Sequence, residues 1–150
     1  MKISNKGLEL IKEFEGFRAN AYLCPTKIPT IGYGNTFWED GRRVRMGEQI
    51  SKSRAEALLL HTVNGFVATG VFDSLNKNIK ISQNQFDAMV SLAYNIGLGA
   101  FRNSTLLRKV NVGDFIGASL EFPKWNRSGG KRLLGLTRRR EREKLLFESL

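Results

Sequence analysis

The sequence predicts an α+β fold, with a small antiparallel sheet near the amino terminus and helices in the rest of the chain. Three observations support this prediction. Apolar residues recur at helical spacing in the first 15 residues, glycine, threonine and aromatic residues dominate residues 17 to 47, and helical spacing returns from residue 53 onward. Because helices and strands are segregated along the chain, alternating βαβ units are disfavoured.

The first helix is predicted to run from Ser4 to near Glu15, with Ile11 and Phe14 on its apolar side and Gly16 as its stop. The segment that follows alternates glycine, threonine and aromatic residues in "PTIGYGNTF". After it, "EDGR" supplies an Asp-Gly turn before "RVRMG". These signals predict a small antiparallel sheet.

Helical segments are predicted in the remainder of the sequence. A capping-box pattern at Ser53 and Glu56 predicts the start of a second helix, and another at Ser82 and Gln85 predicts the central helix of the second half. The apolar side of the second helix is expected to carry Ala55, Leu59, Val63 and Phe66. Further helices are predicted at Ser104 to Val110, near Asp114 to Phe122, and from about Leu136 after the loop "NRSGGK".

The composition is that of an ordinary globular protein, with 41% hydrophobic and 25% charged residues. No uninterrupted apolar stretch reaches the roughly 18 residues of a membrane-spanning helix, so none is expected. Cys24 is the only cysteine, which excludes an intrachain disulfide and indicates a reducing compartment. His61 is the only histidine and has no partner signal, so no metal site and no cofactor are expected.

The chain is strongly basic. It has 24 Lys and Arg against 14 Asp and Glu, a net charge of +10, and basic residues are dense between Lys124 and Lys144. This balance predicts a polyanionic partner. Nucleic acid and anionic polymers of a cell envelope obey the same electrostatics, so charge alone does not choose between them. No groove-reading motif or set of base-stacking residues accompanies the charge, so no nucleic acid is expected.

Glu15 is an unusual glutamate because it follows Ile11 by four residues and Leu8 by seven. Helical geometry therefore aims its carboxylate along the apolar side of its own helix. Apolar surroundings disfavour the charged form, which suits a general acid that keeps a proton to donate. The alternative is that Glu15 caps the helix end or pairs with one of the many arginines.

A spaced motif links this glutamate to two further residues. Cys24 and Thr30 complete the pattern Glu15-x8-Cys24-x5-Thr30 within "EGFRANAYLCPTKIPTIGYGNT". The stretch resembles the phage-type lysozymes of glycoside hydrolase family 24, whose motif is Glu-x8-(Asp or Cys)-x5-Thr followed by a "TIGYGHT"-like strand. The resemblance continues through "NQFDAMVSLAYNIG", "AFRNSTLLRKVN" and "FPKW", and so covers nearly the whole chain in family order.

The resemblance implies a single bilobed, lysozyme-like domain over residues 1 to 150. A small β-containing lobe is expected at about residues 13 to 52, a long connecting helix at about 53 to 72, and a helical lobe at about 73 to 150. The first helix is expected to pack on the helical lobe. A cleft between the lobes is the natural place for a site.

The implied activity is that of a muramidase, which cuts the β-1,4 bond between N-acetylmuramic acid and N-acetylglucosamine of peptidoglycan with inversion. Glu15 takes the place of the catalytic acid, Cys24 that of the second catalytic residue and Thr30 that of the third motif member. A neutral thiol is a poor base, so Cys24 needs a pKa lowered by nearby Lys or Arg or by a local dipole. The alternative for Cys24 is a small buried hydrophobe.

The resemblance also implies contacts with the glycan. The expected substrate-binding residues are Thr36, Tyr94, Asn95, Ser104 and Asn126. Tyr94 at helical spacing is, on general grounds, more often a core residue than a binding residue. Asn35 stands where the family's strand usually has histidine, which disfavours any mechanism that needs an imidazole there and leaves a polar positioning role.

The expected partner is therefore the glycan strand of peptidoglycan, bound by a monomer. The start "MKISNKGLEL" lacks the apolar region of a signal peptide. An endolysin is thus expected in the host cytoplasm, reaching the wall after a separate protein has permeabilised the membrane. The basic carboxy-terminal region is expected to contact anionic envelope polymers. Leu145, Leu146 and Leu150 leave open whether the last helix also disturbs envelopes or simply packs on the core.

Overall fold

The computed structural model describes all 150 residues of the chain. Helices dominate, and the strands form two small antiparallel hairpins, which confirms the α+β prediction. The elements are α1 (Asn5–Glu15), β1 (Arg18–Leu23), β2 (Pro29–Gly32), α2 (Lys52–Thr62), a π-helical segment (Val63–Val67), α3 (Ala68–Ser74), α4 (Gln83–Ile96), α5 (Leu98–Arg102), α6 (Thr105–Asn111), α7 (Phe115–Ser119), a 3-10 turn (Phe122–Lys124), β3 (Arg127–Ser128), β4 (Lys131–Arg132) and α8 (Leu134–Glu148).

The small lobe is built on the β1–β2 hairpin, in which Tyr22 pairs with Thr30. A second tight turn follows, where Phe37 and Arg43 form an isolated antiparallel bridge around the predicted Asp-Gly turn. Gly41 has a φ of +84° in that turn, a conformation that favours glycine. The predicted small antiparallel sheet is confirmed, although much of residues 33 to 51 forms turns rather than strands.

The connecting helix begins two residues before its predicted start. Ser51, not Ser53, is the N-cap, and its hydroxyl accepts a hydrogen bond of 3.2 Å from the backbone N–H of Arg54. Ser53 is already inside the helix, so the capping box predicted with Glu56 is wrong. The Ser-x-Ser sequence offers two possible caps, and the position three residues before Arg54 is the one used.

A π-helical segment keeps one face of this long helix buried. Ala55, Leu59, Val63, Val67 and Val71 recur at every fourth residue, and all five are buried. In an ideal α-helix, positions four apart drift by about 40° at each step, so five of them would leave the core. The wider turn of the π segment corrects this drift. As a result Val67, not the predicted Phe66, continues the buried face.

The segment Lys52–Ser74 is long and apolar enough to cross a membrane by length and composition, with a mean hydropathy of 1.3. This differs from the expectation that no such helix exists, because average hydropathy tolerates the polar residues that interrupt the segment. Its buried residues lie in the hydrophobic core with those of α4. A core helix of a globular protein explains the same composition.

The helical lobe surrounds α4, whose predicted capping box of Ser82 and Gln85 is present. Both α1 and α8 pack against α4, with Phe86, Met89 and Leu92 fully buried. The first helix therefore lies on the helical lobe, although the small lobe follows it directly in sequence. This arrangement brings the end of α1 beside α8.

Three features of the helical lobe differ from the sequence prediction. The short helix α5 was not predicted, and α8 begins at Leu134 rather than about Leu136. The loop "NRSGGK" contains a tight hairpin, in which β3 and β4 pair around Gly129 and Gly130, both with positive φ. Two successive glycines suit a two-residue hairpin turn. The strands are too short to leave a periodic pattern in the sequence.

Candidate active site

A cavity of about 430 Å³ opens between the two lobes beside the end of α1. Its walls come from the small lobe, the connecting helix and α4. The residues that line it are Glu15, Gly34, Asn35, Thr36, Phe37, Thr62, Phe66, Val67, Ala93, Tyr94, Asn95, Gly97 and Leu98. Four of the residues predicted from the sequence, Glu15, Thr36, Tyr94 and Asn95, therefore meet in one cavity. The set mixes aromatic, amide and hydroxyl groups, as ligand sites usually do.

Glu15 is the last residue of α1 and is half-buried. Arg139 of α8 donates a hydrogen bond of 2.6 Å from Nη1 to Glu15 Oε2. The other oxygen, Oε1, has no partner in the protein and lies at the backbone of Gly34, where an added Cβ would approach it to 2.9 Å. One oxygen is therefore fixed and the other is free at the cavity.

The pairing with Arg139 corrects the expectation that Glu15 sits in apolar surroundings. Helical spacing from Ile11 does aim Glu15 toward the helical lobe, but the neighbour there is a guanidinium. The arginine alternative left open by the sequence is the one found. The residue that supplies it is 124 positions away in sequence, which no local pattern could reveal.

Arg139 belongs to a buried group of charges on α8. Its Nε lies 3.2 Å from Glu143 Oε2, and its Nη2 donates 3.1 Å to the carbonyl of Ser91. Arg140 Nε lies 2.7 Å from Glu143 Oε1, in an ion pair without hydrogen-bond alignment. Ser91 Oγ donates 2.5 Å to Glu143 Oε2. With Glu15, the two arginines and two glutamates balance in charge, as buried ions require.

Cys24 lies at the end of the β1–β2 hairpin and is half-exposed, so it is not the buried hydrophobe of the alternative interpretation. Its Sγ lies 3.0 Å from the hydroxyl of Thr26. This hydrogen bond, together with the backbone of Ile28, lowers the pKa of the Cys24 thiol to about 7. The sequence allowed a nearby Lys or Arg, or a local dipole, as the source of this shift, and the source is a set of hydrogen bonds within the hairpin rather than a basic residue.

Thr30 stands beside this thiol on the opposite strand. Its side chain is buried, and its hydroxyl donates 2.9 Å to the carbonyl of Ile28. Hydrogen bonding with the Thr30 side chain also helps to lower the pKa of Cys24. Neither Cys24 nor Thr30 lines the 430 Å³ cavity. The hairpin register that pairs Tyr22 with Thr30 holds both residues at one end of the small lobe.

Tyr94 and Asn95 project from α4 into the cavity. The hydroxyl of Tyr94 donates 2.7 Å to the carbonyl of Tyr33, which joins the helical lobe to the small lobe. Burial of Tyr94 raises the pKa of its phenol far above the ordinary value, so the hydroxyl stays protonated. The predicted binding role of Tyr94 is therefore left to its ring, while Asn95 is exposed and its amide is available.

Ser104 and Asn126 are not brought to this cavity. Ser104 is buried and serves as the N-cap of α6, accepting 3.1 Å from the N–H of Leu107. Asn126 donates 3.1 Å to Thr137 Oγ1 and so fastens the β3–β4 hairpin to α8. A Ser before a helix is a capping signal in its own right, and here that signal describes Ser104 better than the binding role predicted for it.

The residue in the histidine position, Asn35, has a structural function. Its Nδ2 donates 2.8 Å to the hydroxyl of Thr62, which ties the small lobe to the connecting helix. Its Oδ1 is buried without a partner. Two further residues of the cavity, Phe37 and Phe66, were not predicted as site residues. The sequence signal that could have found Phe66 is its place between the every-fourth-residue positions Val63 and Val67.

Other parts of the surface fit a catalytic role less well. A larger groove of about 610 Å³ runs between α1 and α8, but Glu13 there is exposed and pairs with Arg142. His61 is exposed on the connecting helix. No group of three or more His, Cys, Asp or Glu side chains is placed to hold a metal ion. On α8, Leu145 is exposed and Leu146 is half-buried, and Leu150, beyond the end of the helix, is exposed.

Comparison with known proteins agrees with this geometry. The Phage lysozyme family model matches residues 12–143. The endolysin of Acyrthosiphon pisum secondary endosymbiont phage 1 is 47% identical, and the alignment covers 99% of both chains. The endolysin of Bacillus phage B103 is 49% identical over 98% of this chain, which spans 54% of that protein's length.

Two solved structures share the fold. The muramidase domain of SpmX from Asticaccaulis excentricus superposes with a TM-score of 0.88 at 38% identity, covering 99% of each chain. A mutant of P22 lysozyme superposes with a TM-score of 0.86 at 37% identity, again over 99% of each chain. The predicted lysozyme-like fold is thereby confirmed. The chain belongs to the phage lysozyme family, which makes it a hydrolase of the glycosidase type.

Proposed function

We propose that this protein is a muramidase that hydrolyses the β-1,4 bond between N-acetylmuramic acid and N-acetylglucosamine in peptidoglycan, with Glu15 as the general acid. The observation that carries the proposal is the placement of Glu15. Its carboxylate lies at an interlobe cavity of about 430 Å³, with Oε2 held by Arg139 at 2.6 Å and Oε1 unpaired.

In this mechanism Glu15 donates the proton from Oε1 to the oxygen of the scissile bond as the bond between that oxygen and the anomeric carbon breaks. Arg139 is shared between Glu15 and Glu143, because its Nε lies 3.2 Å from Glu143 Oε2. A bound glycan excludes water from Oε1, so the proton passes to the glycosidic oxygen rather than to solvent. Arg139 then acts by orienting the carboxyl group.

Cys24 supplies the base in the same proposal. With a pKa of about 7, roughly half of the thiol is ionised at neutral pH. A water held by the Thr30 hydroxyl attacks the anomeric carbon from the face opposite Glu15 and passes its proton to the thiolate. One bond forms as the other breaks, so the configuration at the anomeric carbon inverts. Thr36, Asn95 and the ring of Tyr94 contact the sugars.

The experiment that tests the proposal compares the wild type with Glu15→Gln, which keeps the shape of the side chain but cannot donate an acidic proton. We expect release of new reducing ends from purified sacculi to fall by about 10²- to 10⁴-fold. Glu13→Gln is the matched control, because Glu13 is exposed on the same helix, two residues away. Equal release of reducing ends by the wild type and Glu15→Gln would show that Glu15 is not the general acid.

We also propose that this endolysin acts in host lysis as a monomer. It reaches the wall from the host cytoplasm after the membrane has been permeabilised, and its basic region binds anionic polymers of the envelope. The observation that supports the last part is the β3–β4 hairpin, where Arg127, Lys131 and Arg132 are exposed and form no ion pair with an acidic residue. Binding to anionic wall polymer should weaken steeply as salt rises. Binding that does not change with salt would contradict the proposed role of the basic region. The same holds if the double variant Lys131→Gln, Arg132→Gln keeps the full salt dependence of the wild type.

A further inference from the structure

Phe66 is a large aromatic residue that the fold leaves in water. Its side chain is 65% exposed, although it stands between buried Val63 and Val67 on the connecting helix. Exposure of a single apolar residue is common, but this one lines the interlobe cavity that also contains Glu15. Its ring therefore forms part of the site without forming part of the core.

The backbone explains how Phe66 reaches this position. It lies within the π-helical segment, where the wider turn moves it away from the buried face that Val67 continues. Two hydrogen bonds hold the segment at Asn64, whose Oδ1 accepts a bond of 3.1 Å from the N–H of Ile3 and whose carbonyl accepts a bond of 3.0 Å from Thr69 Oγ1. Single π turns of this kind are frequent at functional sites.

A second aromatic side chain lines the same cavity from the small lobe. Phe37 is 44% exposed, and the guanidinium of Arg43 lies 4.9 Å from the centre of its ring. The arginine occupies one face of the ring and fixes its orientation. Thr36 and Asn95 lie in the same cavity and offer a hydroxyl and an amide. Aromatic surfaces and a few polar groups thus surround a single space.

From this arrangement we infer that Phe66, with Phe37 as the second aromatic wall, forms a subsite that holds one pyranose ring of the glycan by its apolar face. A pyranose has C–H groups on its faces and hydroxyl groups at its edge. The two phenyl groups suit the faces, and Thr36 and Asn95 suit the edge. This inference rests on the proposed muramidase function and adds to it a residue that sets affinity for the glycan without taking part in bond cleavage.

The test separates affinity from chemistry. Phe66→Ala should raise the KM for soluble glycan strands by about tenfold, as expected for loss of one aromatic contact, and should leave kcat within about twofold. Phe66→Tyr should keep the wild-type KM. Phe72→Ala is the matched control. Phe72 is 48% exposed on α3, which continues the connecting helix, but it lines a different groove. Thermal unfolding should show no loss of stability in Phe66→Ala, since the ring is mostly in water.

An unchanged KM in Phe66→Ala would overturn the inference, and so would an equal rise in Phe72→Ala. Calorimetric binding of the same glycan strands, measured in the Glu15→Gln background, gives a second readout. There Phe66→Ala should weaken binding by a similar factor, and unchanged binding overturns the inference. If the wild type releases no reducing ends yet binds the strands through Phe66, the proposed function fails and the subsite remains.

Discussion

Arg139 and Glu15 are joined by a 2.6 Å ion pair that fixes one oxygen of the carboxylate and leaves the other facing the cavity. Through the same guanidinium, Glu15 is linked to Glu143, which is fully buried. The orientation of the acid therefore depends on a charge group inside the helical lobe, and this dependence can be tested.

Replacing Arg139 by Met should cost both activity and stability. It removes the partner of Glu15 and leaves Glu143 with Arg140 alone, and breaking a buried pair typically costs about 3–5 kcal/mol in free energy of unfolding. Arg139→Lys should recover part of the stability but not the activity, because an ammonium cannot reach both carboxylates in the same geometry. Denaturant unfolding and reducing-end release measure the two effects.

The matched control for this experiment is Arg142→Met. Arg142 pairs with Glu13 at 3.0 Å, but both side chains are more than half exposed. Its loss should change the free energy of unfolding by less than about 1 kcal/mol. Wild-type stability in Arg139→Met would contradict the assignment of Arg139 to a buried charge group.

Gly34→Ala should lower kcat in addition to lowering stability through its effect on the backbone. Gly34 has a φ of +87°, and its Cβ would lie 2.9 Å from Glu15 Oε1 and 3.5 Å from the Tyr94 hydroxyl. Gly41 has a nearly equal φ of +84° with nothing near its Cβ. Both Ala variants should lose about 1–2 kcal/mol of stability from the left-handed conformation, but only Gly34→Ala should lose most of its kcat. Equal kcat values in the two variants would argue against free access at Oε1.

Thr26→Val should shift the pH dependence of the reaction. The Thr26 hydrogen bond is the largest cause of the lowered pKa of Cys24, about 7, so its removal raises that pKa toward the ordinary thiol value. If the thiolate is the base, activity rises with pH through the thiol pKa. The rising limb of kcat/KM should therefore move to higher pH in Thr26→Val and stay in place in Thr26→Ser.

The rate of Cys24 alkylation against pH gives the thiol pKa independently of activity. It should move by the same amount as the rising limb. If alkylation shifts in Thr26→Val while the activity profile does not, Cys24 positions the water without accepting its proton, and Cys24→Ser should then be nearly as active as the wild type.

Ser104→Ala and Asn95→Ala should differ in kind. Ser104 caps α6 from a buried position, so its loss should lower the free energy of unfolding by about 1 kcal/mol with little change in KM. Asn95 is exposed in the cavity, so its loss should raise the KM for glycan and leave thermal unfolding almost unchanged. A raised KM in Ser104→Ala with unchanged stability would restore the binding role that the motif comparison predicted.

Local patterns predicted the elements that local interactions form. The helix before Glu15, the hairpin with Cys24 and Thr30, and the capping box at Ser82 all follow from residues close in sequence. The charge partner of Glu15 could not be predicted in this way. The sequence has 24 Lys and Arg residues and no local signal that singles out one of them. Only the packing of α1 and α8 on α4 selects Arg139.

Phe66 shows a second limit. Helical spacing predicted it for the core because the prediction assumes a constant 3.6 residues per turn. The π segment has more residues per turn than the rest of the helix. In the sequence, the only trace of this change is the recurrence of apolar residues at every fourth position. A residue that an irregular helix turn moves out of the core is therefore a candidate functional residue.

The contact between Glu15 and Arg139 also affects when activity appears during folding. It closes a loop of 124 residues, and contacts of such separation are costly to form early. Enzymatic activity should therefore return in refolding only with the slowest global phase, after the β1–β2 hairpin has formed. The same separation keeps a growing chain on the ribosome inactive until α8 has emerged, because Arg139 cannot orient Glu15 before this late helix has been synthesised.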